Sequence, residues 1–296
     1  MSTFTAVDLS RLPAPAIVEQ IDYEVVLAQI LADFRRFAPE FSAFTEADPI
    51  YKALQLQAYR EVLVRQRANE GCRAVMLAYA AGADLDQLAF GFGVTRKVLD
   101  PGDPAHSIPP TMESDLEFRR RAQLSPESLS VAGPEGAYIF HALSAHASVL
   151  DASATSPSPG EVVVTVLARE GDGSADAALV AAVAAKLSDD EVRPLTDHVT
   201  VRAATIVRYA VEATVYTYAG PDSALVLAES KRRLERYVQE SHRIGRDVPL
   251  SGIYSVLHSE GVQRVEIASP LAGLVIDRTE ASWCTSITIT SGGVDE

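Results

Sequence analysis

The sequence predicts an α+β protein, with an N-terminal helical region built around one long helix and then two small α+β units. Two observations carry this prediction. Up to about residue 146 apolar residues recur at the three- and four-residue spacing of a helix, and beyond it they shift toward the alternation of half-buried strands. The chain has 296 residues, 47% hydrophobic and 22% charged, which supplies a packed core and excludes disorder over the whole chain. Because single cores stop growing at about 250–300 residues, at least two domains are expected. The boundaries predicted are an extended arm at 1–16, a helical domain at 17–146, a first α+β domain at 147–203 and a second at 204–296.

In chain order, the segment Asp8-Leu-Ser-Arg-Leu-Pro-Ala-Pro15 is interrupted by proline and reads as an extended arm able to lie on a neighbouring molecule. Ile21, Val25, Leu27, Ile30, Leu31 and Phe34 then recur at helical spacing. Pro49 stands where proline is tolerated, in the first turn of a long helix predicted from about Pro49 to Ala80. Its stripe includes Ile50, Leu54, Ala58, Val62, Ala68, Cys72, Val75, Met76 and Tyr79. Such a helix would be roughly 45 Å long, more than a compact core of this size requires. Gly82 is read as its end, and Asp84–Phe90 as a short amphipathic turn closing at Gly91 and Gly93.

Pro101, Gly102, Pro104, Pro109 and Pro110 make Val94–Pro110 a loop without regular elements. Glu113–Gln123 is expected to be helical, and Gly133-Pro134 to restart a helix reaching about His146. Strands follow at Val149–Thr155, Glu161–Ala168, Val199–Ala203 and within Ala204–Tyr218, with an alanine-rich helix from about Ala175 to Leu187. Helices at about Ser223–Ser241 and Leu250–Ser259, a strand at Val262–Ala268 and a last strand at Thr285–Thr290 complete the chain.

Composition narrows function. The 26 Lys and Arg against 40 Asp and Glu leave a formal net charge of −14, which repels phosphate backbones and anionic lipid, so neither nucleic acid nor membrane is expected as a partner. The arginines Arg119, Arg120 and Arg121 read as a solvated helix face or as partners of nearby acids. Cys72 and Cys284 can build neither a disulfide framework nor a four-ligand zinc site, and suit a reducing cytosol as free thiols. Met1–Asp8 lacks a signal-peptide pattern. The longest apolar runs, Ala74–Ala81 and Ala177–Ala185, are far short of the ~20 residues that span a bilayer.

No local context for catalysis is found. A Gly-x-Ser-x-Gly elbow, a phosphate-binding Gly-rich loop and an H-E-x-x-H helix are missing from the sequence, and Gly171-Asp-Gly173 and Gly91-Phe-Gly93 supply only fragments of a dinucleotide fingerprint. His141 and His146, five apart, fall on different faces of a helix. Asp84 with Asp86 lacks the further ligands of a calcium loop, and Asp189, Asp190 and Glu191 suit a solvated turn. The sequence therefore predicts no catalytic residue, no metal ligand and no cofactor.

Four segments nevertheless stand in a suggestive order. They are Glu46-Ala-Asp-Pro49 opening the long helix; Leu77-Ala-Tyr-Ala-Ala-Gly-Ala-Asp-Leu-Asp-Gln-Leu88; Asp115-Leu-Glu-Phe-Arg119 with Ser125-Pro-Glu-Ser-Leu129 and Gly133-Pro-Glu-Gly-Ala-Tyr138; and Val192-Arg-Pro-Leu-Thr-Asp197. With them the chain resembles the baseplate assembly protein J family of contractile-tailed phages and tail-like bacteriocins, over about residues 17–270. Leu271–Glu296, with Trp283 and Cys284, fits that pattern least.

The resemblance implies a non-catalytic structural wedge subunit, made in the host bacterial cytoplasm and then carried in the tail baseplate. It implies association with a smaller I-like wedge protein, with a second copy of the chain, and with sheath-initiator and hub or spike proteins. The residues themselves agree at one place. Leu54, Leu56, Val62, Leu63, Val75, Met76 and Leu77 spread apolar surface around the long helix, which suits a bundle shared with other chains and makes them the candidate partner interface. The alternatives are a soluble adaptor or peptide-binding module with exposed sheet edges, and a tail-associated hydrolase.

Overall fold

The structure, a computed structural model, describes residues 15–41, 45–130, 132–190, 192–220 and 222–294, together with residues 9, 12 and 13. Most of the 1–16 arm, and Glu191 of the acidic trio, lie outside the described residues. Residues of 5–96 and 113–122 form one compact unit, and those of 97–112 and from 123 onward form another. Helices and strands are both plentiful, and the fold is α+β.

In the N-terminal unit, α1 (Tyr23–Phe37) starts at Asp22, whose carboxylate accepts from the Glu24 and Val25 N–H groups. Its partner is α2 (Pro49–Ala74), a helix of 26 residues and so about 39 Å long. Val26, Leu27 and Ile30 of α1 meet Leu54 and Ala58 of α2 in a buried cluster, edged by Tyr23, Leu31, Phe34 and Val62. Val25, expected on the inward stripe, is exposed, and Val26 takes its place. Further along α2 the buried Asn69 brackets the Glu19 backbone, accepting from its N–H at 3.0 Å and donating to its carbonyl at 2.9 Å.

The long helix does not reach Ala80. It ends at Ala74, and Gly82, expected to terminate it, opens α3 (Gly82–Phe90) instead. The reason lies in α4 (Asp115–Leu124). Its Arg119 guanidinium donates to the carbonyls of Leu77 and Ala80, holding the segment after Ala74 in tight turns in which the Met76 N–H reaches the Arg73 carbonyl and the Ala80 N–H the Met76 carbonyl.

The second unit begins with a small antiparallel pair, β1 (Val98–Asp100) and β2 (Thr111–Met112), where a loop free of regular elements was expected. The prolines lie between these strands rather than in them, and Gly102, at φ +68, takes the tight turn that leaves room for no Cβ beside the Ile108 and Pro109 carbonyls. After a 3-10 turn at Ser125–Leu129 comes α5 (Glu135–Ala145). It packs on a three-stranded sheet ordered β3 (Val149–Thr155), β4 (Glu161–Ala168), β5 (His198–Ala203). β3 and β4 form an antiparallel hairpin, whereas β5 joins β4 in parallel after the crossover helix α6 (Ala177–Leu187). Val164, Thr165, Val166, Leu167 and Ala168 are all buried, as a central strand covered on both faces requires.

The second sheet is ordered β7 (Val262–Ser269), β6 (Thr205–Thr217), β8 (Glu280–Val294). On β6 the buried residues Tyr209, Val211, Ala213, Val215 and Thr217 fall at every second position, one face of a pleated strand. That face packs on α7 (Ser223–Ser241) through Val226 and Leu234, and on α8 (Leu250–Leu257) through Ile253 and Leu257. β8 is much longer than the Thr285–Thr290 segment predicted, because it runs parallel to β6 from Thr205↔Glu280 to Thr217↔Val294 and its ends are drawn into strand by that pairing.

Candidate assembly surface

α2 has two apolar faces. At about 100° per residue, Leu54, Ala58 and Val62 cluster on one side, and Leu56, Tyr59 and Leu63 lie nearly opposite. The first face is occupied by α1. The second is open, with Leu56 62%, Tyr59 54% and Leu63 41% exposed. The structure therefore divides the predicted interface set. Leu54 is spent within the chain, and Val62 is half-buried beside it. Val75, Met76 and Leu77 lie beyond the helix end, Val75 exposed and the other two half-buried. Tyr59 was missed, although its spacing of three from Leu56 and four from Leu63 is the signal that identifies it. More than half of the exposed large apolar residues among those described belong to this unit, which holds about a third of the chain. Exposed apolar surface at that density makes this unit the candidate for cover by another molecule.

Two polar junctions hold the segments that carried the family resemblance. The first is in the N-terminal unit. Ala81, at the start of α3, has no side chain able to cap the helix, and the Gly82 N–H donates instead to the Asp115 carboxylate at 3.0 Å. That N–H, followed by the neighbouring Arg96, holds the Asp115 carboxyl below its ordinary range. Arg96 also binds Asp86 at 2.8 Å and the Glu113 carbonyl at 2.7 Å. Arg121 grips Glu113 with two hydrogen bonds of 3.0 and 2.6 Å, both side chains buried, and reaches the Thr95 carbonyl. The fully buried Phe118 ring lies beneath both guanidinium groups, 4.7 Å from Arg96 and 5.5 Å from Arg121. Arg119 and Arg121 are thus structural clasps: of the two roles expected, solvated face or partner of a nearby acid, Arg121 takes the second, on Glu113, and Arg119 binds backbone carbonyls.

The second junction is in the other unit. Gly133 sits at φ +68, where a Cβ would come within 2.7 Å of Pro194 and 2.9 Å of the Asp197 carboxylate. The Tyr138 hydroxyl donates to that carboxylate at 2.6 Å. Burial, and then the negative charge beside it, pushes the Tyr138 phenol upward, so it stays a proton donor throughout the physiological range. Glu135 pairs with Arg278, whose guanidinium also donates to the Ala154 carbonyl at 3.0 Å. Asp151, 3% exposed, accepts from the Ile244 N–H at 3.0 Å. These contacts tie the two sheets of the unit together.

The Glu113 and Asp197 carboxylates are engaged by structural donors, and burial, with Lys186 nearby, lowers the His141 pKa. Among the described residues, no group of three or more His, Cys, Asp or Glu side chains could hold a metal ion, and no helix is long and apolar enough to cross a membrane. Cys72 and Cys284 are free thiols, and burial pushes Cys284 up.

Comparison with known proteins places these junctions in context. The model of the Baseplate J-like N-terminal domain matches residues 46–103, and that of the Baseplate J-like central domain matches residues 130–203. The chain is 47% identical over 300 residues to Baseplate protein J of Escherichia phage P2, covering 98% of this chain and 99% of that protein. The similarity therefore passes the residue-270 limit expected for it. A chain in the cryo-EM structure of the anti-feeding prophage (AFP) baseplate, 6-fold symmetrised, is 13% identical with a TM-score of 0.42, and the match covers 61% of this chain and 44% of that one. With near half of its residues identical to that phage protein from end to end, the chain belongs to the baseplate J-like family.

Proposed function

We propose that this protein is a structural wedge subunit in the baseplate of a contractile phage tail or a tail-like particle, and that its role is mechanical and not catalytic. The observation that carries the reading is the 47% identity to a baseplate protein across nearly the whole of both chains. The open face of α2 supports it, because an apolar stripe opposite the covered one is what a helix shared between chains requires. In this reading residues 1–16 are an arm, 17–146 a wedge and core-bundle domain, and 147–203 and 204–296 the two α+β domains. Its partners are a smaller I-like wedge protein, a second copy of the chain, and the sheath-initiator and hub or spike proteins. The chain is made in the host cytoplasm and retained in the baseplate.

The test is co-expression with the I-like protein of the same gene cluster, followed by electron microscopy and mass spectrometry of the particles. The expected result is a stable complex of the two proteins, and the chain in baseplate-bearing particles at a copy number comparable to that of its partner. A chain that elutes alone and is missing from intact particles overturns the proposal and returns the adaptor reading.

A further inference from the structure

β8 forms one edge of the second sheet, and among the described residues no strand pairs with its outer side; near its start it is met by the isolated bridge Ile244↔Ala281 and by His242, whose ring bonds the Ser282 carbonyl at 2.6 Å. Edge strands of this length ordinarily carry a protecting lysine, a proline or an inward-pointing charge. Here, from Ala281 to Val294, there is no Lys, Arg, Asp, Glu or Pro, in a chain whose net charge is −14. Two copies approaching through almost any other surface would bring acidic groups together. Along Ala281–Val294 this edge brings none, and the acids of the sequence that flank it, Glu280, Asp295 and Glu296, fall at its ends, away from the axis.

The sequence along it has a local two-fold. Between bulges near Thr285 and Gly292, the stretch Ser286–Ser291 pairs without interruption with Ala210–Val215. Taken about Thr288, its neighbours on the two sides are Ile287 and Ile289, and the next are Ser286 and Thr290. We infer that β8 is a self-pairing edge, through which two copies of this chain join their second sheets in antiparallel register about a two-fold axis at Thr288. In that register Thr288 faces its own copy, Ile287 faces Ile289, and Ser286 faces Thr290. Each pair lies on one face, and aliphatic pairs and hydroxyl pairs are both favourable cross-strand neighbours.

The surroundings agree with this arrangement. Ile287 and Ile289 are half-buried on the side that packs against α7 and α8, so pairing would extend each core across the junction. The nearest acid on the other face is Glu212, which pairs with Thr288 one strand inward. The two Glu212 side chains of a dimer would stand three strand spacings apart, about 14 Å, beyond the screening length of about 8 Å at physiological salt. An isologous contact of this kind closes on itself as a dimer and does not propagate into a fibre.

The inference deepens the wedge reading, which calls for a second copy, by naming the surface that copy occupies. It is tested on the isolated full-length chain by analytical ultracentrifugation up to about 100 µM. The wild type is expected to dimerise with concentration. Thr288→Lys and Thr288→Glu, each placing like charges opposite each other at the axis, are expected to weaken the dimer by about tenfold or more, with circular dichroism and thermal unfolding unchanged because Thr288 is exposed. An equimolar mixture of the two variants is expected to dimerise again, since Lys then faces Glu. A wild type that stays monomeric overturns the inference, as does a dimer indifferent to both variants or a mixture that fails to recover. Particle incorporation is read separately. Monomers that still enter baseplates refute the edge and leave the wedge reading standing, whereas charge-sensitive dimers missing from particles refute the wedge reading and leave the edge.

Discussion

Gly133 is where one residue's backbone decides whether two distant segments meet. Its φ of +68 is open to glycine at little cost, and the space where a Cβ would stand is taken by Pro194 and Asp197. Gly133→Ala should destabilise the chain by about 2–4 kcal/mol, combining the left-handed penalty with overpacking. Gly171→Ala, at φ +63 with nothing within 4 Å, should cost only about 1–2 kcal/mol; urea unfolding of the two variants measures the difference. Asp115 makes a prediction about acid. Its carboxyl is held below the ordinary range by the Gly82 N–H and by Arg96, so its contribution is full above the unfolded value of about 3.9 and is lost as pH falls through the lower folded value. Asp115→Asn should therefore narrow the gap between urea midpoints at about pH 6 and pH 3. Asp115, Phe118, Arg119, Gly133, Tyr138 and Asp197 were visible in the sequence, within the segments that carry the family resemblance, whereas Arg96, Glu113, Arg121 and Arg278 lie outside them. Their roles were not visible, since the Tyr138 to Asp197 bond spans 59 positions and the Arg119 to Leu77 bond spans 42.

α2 shows at the scale of an element why a hydrophobic stripe needs its partner before it can be interpreted. Leu54 and Leu56 are both leucines on one helix, yet α1 covers the first and leaves the second open. Leu54→Ala should cost about 2–5 kcal/mol of stability. Leu56→Glu combined with Leu63→Glu should change chain stability by no more than about 0.5 kcal/mol per site, while abolishing incorporation into particles. Thermal unfolding beside a particle-incorporation assay separates the two effects, and equal loss of stability in both variants would contradict the assignment of faces. The strands β3 and β4 coincide with the segments predicted for them, because short runs bounded by the Pro157-Ser-Pro-Gly160 turn are a local signal and the hairpin partner is close in sequence. The ends of α2 and β8 depended on remote groups. Arg119 takes the carbonyls beyond Ala74, and β6 draws residues without strand character, such as Gly292 and Gly293, into its ladder.

Across the whole molecule, exposed apolar residues are concentrated in the N-terminal unit, and an uncharged strand edge lies in the other. A net charge of −14 makes copies repel one another, and the contacts proposed between chains fall on apolar or hydrogen-bonding surface that is free of charge. By itself the sequence determined the α+β class, the order of most elements and the resemblance to baseplate J proteins, because hydrophobic period, turn residues and motif order are written along the chain. Tertiary structure alone decided which face of α2 is open, which arginines are clasps, how far β8 extends and where an unpaired edge remains. Each of these depends on which groups compete for a side chain, a carbonyl or a strand partner, and the competitors are brought together only by folding.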